Sequence, residues 1–147
     1  MKNRRLPFVG FYLYALALTV LVVAYIMAIS TFKVFSYDVD RFVIILPIFA
    51  MWIIILQITM SFFDTNKPVW FNAIDLAFCV LVLFTFAKTL IPFLTNIATF
   101  FTVNMGDVKT FAIGVPRCIA SCVLLVVSCI IFIVGSFFKI FTEREAK

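Results

Sequence analysis

One carboxylic acid, Asp75, lies within a strongly apolar stretch of the sequence that is long enough to cross a membrane. Gln57 lies near the end of the preceding apolar stretch, and only a short polar connection separates the two. Two helices joined in this way run antiparallel, so the two side chains are predicted at similar depth. A buried carboxylate needs a partner or must become neutral. We therefore predict an intramembrane polar cluster of Asp75, Gln57 and Tyr14.

This predicted cluster has two interpretations. An intramembrane carboxylate is typical of proton relays, ion sites and counter-charges for a substrate. Alternatively, Asp75 lies shallow enough to be hydrated, or it fixes the register of two helices through hydrogen bonds. The sequence favours this second, structural interpretation and leaves the first open.

Two cations, Lys88 and Arg117, interrupt the apolar stretches at the opposite membrane face. Lys88 follows Asp75 by thirteen residues, which is about 20 Å along a helix, so these two side chains cannot pair. Both cations can extend to the membrane surface as anchors, and this interpretation is favoured. The alternatives are contacts with a lipid phosphate or another anion, and ion pairs with Asp38, Asp40 or Asp107.

The residue types needed for most enzyme chemistry are missing. The sequence contains no histidine, the commonest general base near neutral pH and the commonest metal ligand. It has no phosphate-binding loop, nucleophile elbow or paired-cysteine metal motif. The four cysteines lie in apolar stretches, where they serve best as small packing residues: Cys79, Cys118, Cys122 and Cys129. We expect no catalytic residues, no cofactor and no bound metal.

The composition indicates an integral membrane protein. Of the 147 residues, 65% are hydrophobic and 13% are charged, against about 25% charged in soluble proteins. A chain of about this length removes only roughly 70% of its surface from water on folding, so the excess apolar surface must face lipid. The net charge of +5 comes from residues that flank the apolar runs. It therefore indicates a lipid bilayer as the partner rather than nucleic acid.

Four apolar runs are predicted to form transmembrane helices, at about residues 7–32, 42–63, 70–92 and 110–139. Each can cross about 30 Å of hydrocarbon. The first run is too long for a cleaved signal peptide, and Pro7 suits its first helical turn. The predicted fold is all-α: one transmembrane domain over residues 1–147, an antiparallel bundle of four helices. Residues 93–109 mix apolar and polar side chains and are predicted to form an amphipathic interfacial segment between helices 3 and 4.

The basic residues predict the orientation. With four crossings both termini lie on one side, where seven lysines and arginines would gather: Lys2, Arg4, Arg5, Lys67, Lys139, Arg144 and Lys147. The opposite loops carry Lys33, Arg41 and Lys109. Because basic residues concentrate on the cytoplasmic side, cytoplasmic termini are favoured.

Small residues recur every seven positions in the first and last helices. A seven-residue period keeps one stripe facing a neighbour, and small residues let two backbones approach in lipid. Antiparallel alignment predicts that the two helices meet at four pairs: Gly10 with Gly135, Ala17 with Ser128, Ala24 with Ser121 and Thr31 with Gly114. The alternatives are a chance pattern and contacts with a second subunit.

The second half of the chain carries a loose resemblance. Its Asp-bearing third helix, the stretch Asn104-Met105-Gly106-Asp107 and the ending Ser136-Phe137-Phe138 resemble largely uncharacterised short four-helix membrane proteins of low-GC Gram-positive bacteria. The likeness covers residues 70–139. It implies a bacterial plasma-membrane location and no known activity.

Three functions are compatible with these features. Short loops, missing catalytic residues and small-residue stripes favour an accessory or structural subunit acting through a membrane-protein partner or as a homo-oligomer. The alternative is a small oligomeric transporter or channel in which Asp75 and Gln57 line a path. An enzyme acting on lipid is the least favoured, because it would need residues that the sequence does not contain.

Overall fold

The protein is a bundle of four helices, described by a computed structural model for residues 5–35, 38–63, 71–103, 108–138 and 141–143. The helices are α1 (Val9–Val34), α2 (Arg41–Phe63), α3 (Phe71–Val103) and α4 (Val108–Ser136). Each is long and apolar enough to cross a membrane. The predicted all-α fold with four membrane-spanning helices is confirmed.

Consecutive helices are antiparallel neighbours, and the fourth returns to the first. α1 packs most extensively against α4, while α2 packs against α3. Smaller contacts join α3 to α4 and α1 to α2. The four helices therefore form a ring in which each touches two others, as short connections between spans require.

A seven-residue pattern explains which faces are buried. Alternating steps of three and four residues keep one stripe facing the bundle interior. In α1 this stripe consists of Gly10, Tyr14, Ala17, Leu21, Ala24, Ala28 and Thr31. In α4 it consists of Gly114, Cys118, Ser121, Leu125, Ser128, Phe132 and Gly135.

The same pattern continues in the middle two helices, where the sequence did not make it obvious. In α2 the buried stripe is Val43, Pro47, Ala50, Ile54, Gln57 and Ser61. In α3 it includes Phe78, Val82, Thr85 and Thr89. Asp75 precedes Phe78 by three residues and therefore lies on the interior face of α3.

Apolar side chains fill the middle of the bundle. Leu21, Ile54, Val82 and Leu125, one from each helix, are at most 1% exposed and belong to a single core cluster. Large apolar residues such as Trp52 (65% exposed) cover the outside. In water that surface would be unfavourable, but against lipid tails it costs nothing, which agrees with the membrane location.

The third helix is longer than the sequence suggested. It continues through Pro92 and ends at Val103 rather than near residue 92. Helices in membranes tolerate proline because neighbouring groups satisfy the freed carbonyl, and α2 and α4 likewise contain Pro47 and Pro116. Residues 93–103 therefore extend α3. The amphipathic character of this region stays a prediction, because residues 104–107 and the side chains of residues 99–103 lie outside the described part of the chain.

A short antiparallel ribbon joins the two ends of the chain. Strand β1 (Arg5–Pro7) pairs with β2 (Phe141–Glu143), with Leu6 opposite Thr142. The prediction that Pro7 begins the first helix is wrong: Pro7 lies in β1, and α1 starts at Val9 after the N-cap residue Phe8. The ribbon places both terminal segments at one end of the bundle, which we call the terminal end. The opposite end is called the loop end.

Candidate functional site

The predicted polar cluster lies at the terminal end of the bundle, between α2 and α3. Asp75 is half-buried and lies about 6 Å inside the start of α3, at ~1.5 Å per residue. Gln57 and Ser61 lie one turn apart on the interior face of α2 and are 1% and 6% exposed. Antiparallel packing of α2 on α3 brings these side chains to one level.

A hydrogen bond joins the two helices at this point. The Gln57 side-chain amide donates through Nε2 to Oδ1 of Asp75. A hydrogen bond to a charged carboxylate is stronger than one between neutral groups. The structure thus brings together the two residues whose proximity the sequence predicted, and the bond joins α2 to α3 at this level.

Two oxygens beside this bond are buried without a hydrogen-bond partner among the described residues. They are Oε1 of Gln57 and Oγ of Ser61. Leaving a buried polar atom unpaired typically costs about 1–3 kcal/mol. Both oxygens therefore keep lone pairs that no hydrogen bond from the described residues uses.

Tyr14, the third member of the predicted cluster, is fully buried on α1. It belongs to the same core cluster as Phe78, which follows Asp75 by one turn on α3. Its ring packs edge-on against Phe132, with the centroids 5.0 Å apart. Asn72, one turn before the carboxylate in sequence, is exposed.

Aromatic rings close the cluster off from the rest of the bundle. Phe132 stacks on Phe78 with the centroids 3.9 Å apart and the planes 24° apart. Both side chains are fully buried. Together with Tyr14 they join α1, α3 and α4 in one aromatic contact, immediately inside the polar groups. This contact was not predictable from the sequence, because phenylalanine occurs twenty times in the chain and nothing local distinguishes these two.

Lys88 lies at the loop end and pairs with Asp40, the residue before α2. Its Nζ is 3.1 Å from Oδ2, and both side chains are 36% exposed. The ammonium also lies 5.3 Å from the centroid of the Phe42 ring, within cation–π range. An ion pair with Asp40 was one of the alternatives that the sequence left open for Lys88.

The Asp40 carboxylate is held in its charged form. It accepts a hydrogen bond from the backbone N–H of Phe42 through Oδ1, 3.0 Å away, and another from Lys88. The first of these, followed by the second, lowers the pKa of Asp40 below its ordinary value of 3.8. The connection between α1 and α2 is thereby tied to α3.

Arg117, predicted to act beside Lys88, has a different partner. Its guanidinium donates to Oγ of Ser30 on α1 across 3.0 Å. Lys88 instead contacts the connection before α2. Each cation thus joins a different pair of elements, and a shared anion or lipid contact for the two stays a prediction.

The small-residue stripes of α1 and α4 face each other. Ser128 donates to the carbonyl of Ala17 (3.0 Å), and Ser121 donates to the carbonyl of Ala24 (3.1 Å). A side chain reaches a carbonyl inside another helix only when the two backbones lie close together, so these bonds depend on the alanines. The stripe serves contacts within one chain along this length.

The glycines of α4 lie at the two ends of this interface. A Cβ at Gly135 would lie 3.2 Å from Cβ of Leu13, and a Cβ at Gly114 would clash with the ring of Phe35. The predicted partners were Gly10 for Gly135 and Thr31 for Gly114. Gly10 and Thr31 are buried on the same stripe of α1. The residues that contact the two glycines, Leu13 and Phe35, lie about one turn further along the chain.

A groove of about 380 Å³ separates α3 from α4 towards the loop end. Its walls are apolar: Phe86, Leu90, Phe93, Cys118, Ile119, Cys122, Val123, Val126 and Val127. All four cysteines are free thiols, and three of them are buried. Cys118 and Cys122 both line the groove, and Cys79 packs against the core cluster that contains Cys129.

In the described part of the chain, these sites offer the side-chain oxygens of the polar cluster, the Lys88–Asp40 ion pair and buried thiols. Within the described ranges, no group of three or more histidine, cysteine, aspartate or glutamate side chains could hold a metal ion. Comparison with protein-family models, curated proteins and solved structures found no match. The resemblance to four-helix proteins of Gram-positive bacteria stays a prediction.

Proposed function

We propose that this multi-pass membrane protein is an accessory or structural subunit that acts through a membrane-protein partner. The observation that supports this most is the filled interior of the bundle. Fully buried apolar side chains from all four helices separate the polar cluster at the terminal end from the ion pair at the loop end. A chain built in this way offers a rigid membrane-embedded surface.

The polar contacts agree with such a role. The Gln57–Asp75 hydrogen bond and the Lys88–Asp40 ion pair each join α2, or the segment before it, to α3. Arg117 and the two buried serines join α4 to α1. Each of these groups therefore has a structural task between neighbouring helices, which is what a scaffold requires.

Co-purification tests this proposal. The full chain is tagged at its C-terminus and expressed in its native host. It is then extracted in mild detergent, and the size and composition of the extracted particles are determined. We expect a second membrane protein to co-purify in a stoichiometric amount. It should be lost when excess untagged chain is added as a competitor. A monodisperse, solitary protein under several detergents and in nanodiscs would contradict the proposal.

A second candidate function is a small oligomeric transporter or channel that uses the intramembrane carboxylate. The observation that favours it is the pair of unsatisfied buried oxygens beside Asp75, on Gln57 and Ser61. Because the interior of one bundle is filled, a path would have to form between chains or through a rearranged bundle. Ion flux in proteoliposomes that Asp75→Asn abolishes and Asp40→Asn preserves would support it, and no flux across a panel of ions and sugars would reject it.

The proposed location is the plasma membrane with both termini in the cytoplasm. The excess of lysine and arginine in the terminal segments and the central loop supports this orientation. In a bacterial host, green fluorescent protein fused to the C-terminus should fluoresce, and alkaline phosphatase fused there should stay inactive. The reverse pattern would place the termini outside.

A further inference from the structure

We propose that the polar cluster at the terminal end is a binding site for one small monovalent cation. Its ligands are a carboxylate oxygen of Asp75, Oε1 of Gln57 and Oγ of Ser61. This inference goes beyond the proposed accessory role and does not depend on it, because a bound ion could stabilise the bundle whether or not a partner is present.

The first argument is the unused lone pairs of two buried oxygens. In the described part of the cluster, the Gln57 amide donates one hydrogen bond to Asp75. Its own Oε1 and the Ser61 hydroxyl oxygen stay buried without a partner. Both belong to side chains that are at least nine-tenths buried. Oxygen atoms whose lone pairs accept no hydrogen bond are suitable ligands for hard cations.

The second argument is the arrangement on α2. Gln57 and Ser61 are four residues apart, so their side chains lie on the same face of the helix. That face is the interior stripe, which is otherwise apolar from Val43 to Ile54. The two polar residues occur only where the stripe reaches the level of Asp75. On α2, buried side-chain oxygens are thus restricted to this one level.

The third argument is charge. The described cluster contains one carboxylate, Asp75, and neutral oxygens. A monovalent cation would make the site neutral, whereas a divalent cation would leave one uncompensated positive charge next to fully buried aromatic rings. Burying an unpaired charge is far more costly than burying a neutral complex. The cluster therefore favours a charge of +1.

The fourth argument is access. Asp75 is half-buried and lies about 6 Å inside the start of α3, so an ion reaches it from the terminal end without crossing the hydrocarbon. On the other side, the stacked rings of Phe78 and Phe132 close the bundle. The site consequently lies close to one side of the membrane and is closed off from the other, which suits a stabilising or sensing ion.

The experiment measures the stability of the purified full-length chain in detergent with Na⁺ as the probe. Thermal unfolding is followed in NaCl and in choline chloride at constant ionic strength. Because a ligand that binds only the folded state raises the Tm, we expect a saturable rise with Na⁺. Asp75→Asn should abolish the rise. Ser61→Ala, which changes no charge, should raise the apparent Kd by about tenfold.

The matched control is Asp40→Asn, which removes a carboxylate at the opposite end. It should keep the full response to Na⁺, whatever it does to the starting Tm. Retention of radioactive ²²Na⁺ by the purified chain gives a direct reading and should follow the same order among the variants. If Asp75→Asn does not fold, Ser61→Ala and Asp40→Asn still provide the comparison.

Three results would overturn the proposal. The first is an equal Tm in NaCl and choline chloride together with no retained ²²Na⁺, which would mean that water or a proton satisfies the buried oxygens. The second is a Na⁺ response that Asp75→Asn leaves unchanged. The third is a response that Asp40→Asn abolishes as completely as Asp75→Asn does, since that would place the ion at the loop end.

Discussion

The α1–α4 and α2–α3 helix pairs are held together by different forces. Between α1 and α4, small residues line the interface, and Ser121 and Ser128 reach backbone carbonyls of the facing helix. Between α2 and α3, the named polar contacts lie near the two ends: Gln57 with Asp75, and Lys88 with Asp40 before α2. The first pair depends on close approach and the second on polar side chains.

This difference has a physical origin in the membrane. Lipid tails are as apolar as leucine, so burying apolar surface does not by itself drive helices together. Close packing and polar contacts must do so instead. The α1–α4 pair gains its attraction from many short contacts along its length, whereas α2–α3 gains more from a few specific bonds. Substitutions between α1 and α4 should therefore act through side-chain volume. Substitutions between α2 and α3 should act through the loss of polar contacts.

Ser128→Trp should have the largest effect. Ser128 is fully buried and lies against the backbone of α1 at Ala17, so an indole there would force the two helices apart. Overpacking a core typically costs about 1–3 kcal/mol or more, and this substitution adds a large ring to a backbone contact. We expect loss of monodisperse protein in size-exclusion chromatography of the tagged chain.

Its control is Ile130→Trp on the lipid-facing side of the same helix, where 55% of the side chain is exposed. This variant should elute like the parent protein. If Ser128→Trp folds normally and only loses an oligomer, the small-residue stripe serves contacts between chains, and the contrast between the two helix pairs fails.

Gln57→Leu should have the next largest effect. It leaves the Asp75 carboxylate without its hydrogen-bond donor, and an unpaired buried group costs about 1–3 kcal/mol. The double variant Gln57→Leu/Asp75→Leu removes both partners and should recover most of the lost stability. Unfolding in mixed micelles, followed by circular dichroism, measures the four members of this cycle. Additive losses would mean that the two side chains do not interact.

Ser121→Ala should have a smaller effect. It removes one hydrogen bond across the α1–α4 interface but keeps a small side chain, so the close approach survives. Such bonds in membranes average about 0.6 kcal/mol. The same unfolding measurement should detect a decrease of that order. A loss above about 2 kcal/mol would show that the bonds, rather than close packing, hold this pair together.

Asp40→Asn should have the smallest effect, and this effect should depend on pH. Because the pKa of Asp40 is lower in the folded protein than its ordinary value of 3.8, the ionised side chain stabilises the fold above that pH. The contribution is lost as the pH falls through the folded-state pKa. The difference in Tm between the parent protein and Asp40→Asn should therefore shrink between pH 6 and pH 3, values chosen to span that range.

The control for this measurement is Asp38→Asn, an exposed carboxylate in the same connection. It should change the Tm less than Asp40→Asn does at the higher pH. A gap between parent protein and Asp40→Asn that widens on acidification would contradict the assigned role of the Lys88–Asp40 pair.

Part of the polar architecture was predictable because spacing alone determines it. The short connection between the second and third helices places Gln57 and Asp75 at one depth whatever the details of packing. The seven-residue period similarly predicted which faces of α1 and α4 meet. The partner of Lys88 was harder to predict, because Asp38, Asp40 and Asp107 were all possible and the sequence did not favour one of them.

The sequence by itself determined four membrane spans, their antiparallel order and the stripe that joins the first to the last. These follow from hydropathy, charge and periodicity, which are local properties of the chain. Only the tertiary structure decided the aromatic closure by Phe132, the continuation of α3 past Pro92, the ribbon at Pro7 and the unpaired oxygens beside Asp75. These features depend on how parts of the chain that are distant in sequence pack together, or on how neighbouring groups accommodate a proline. Neither leaves a local pattern in the sequence.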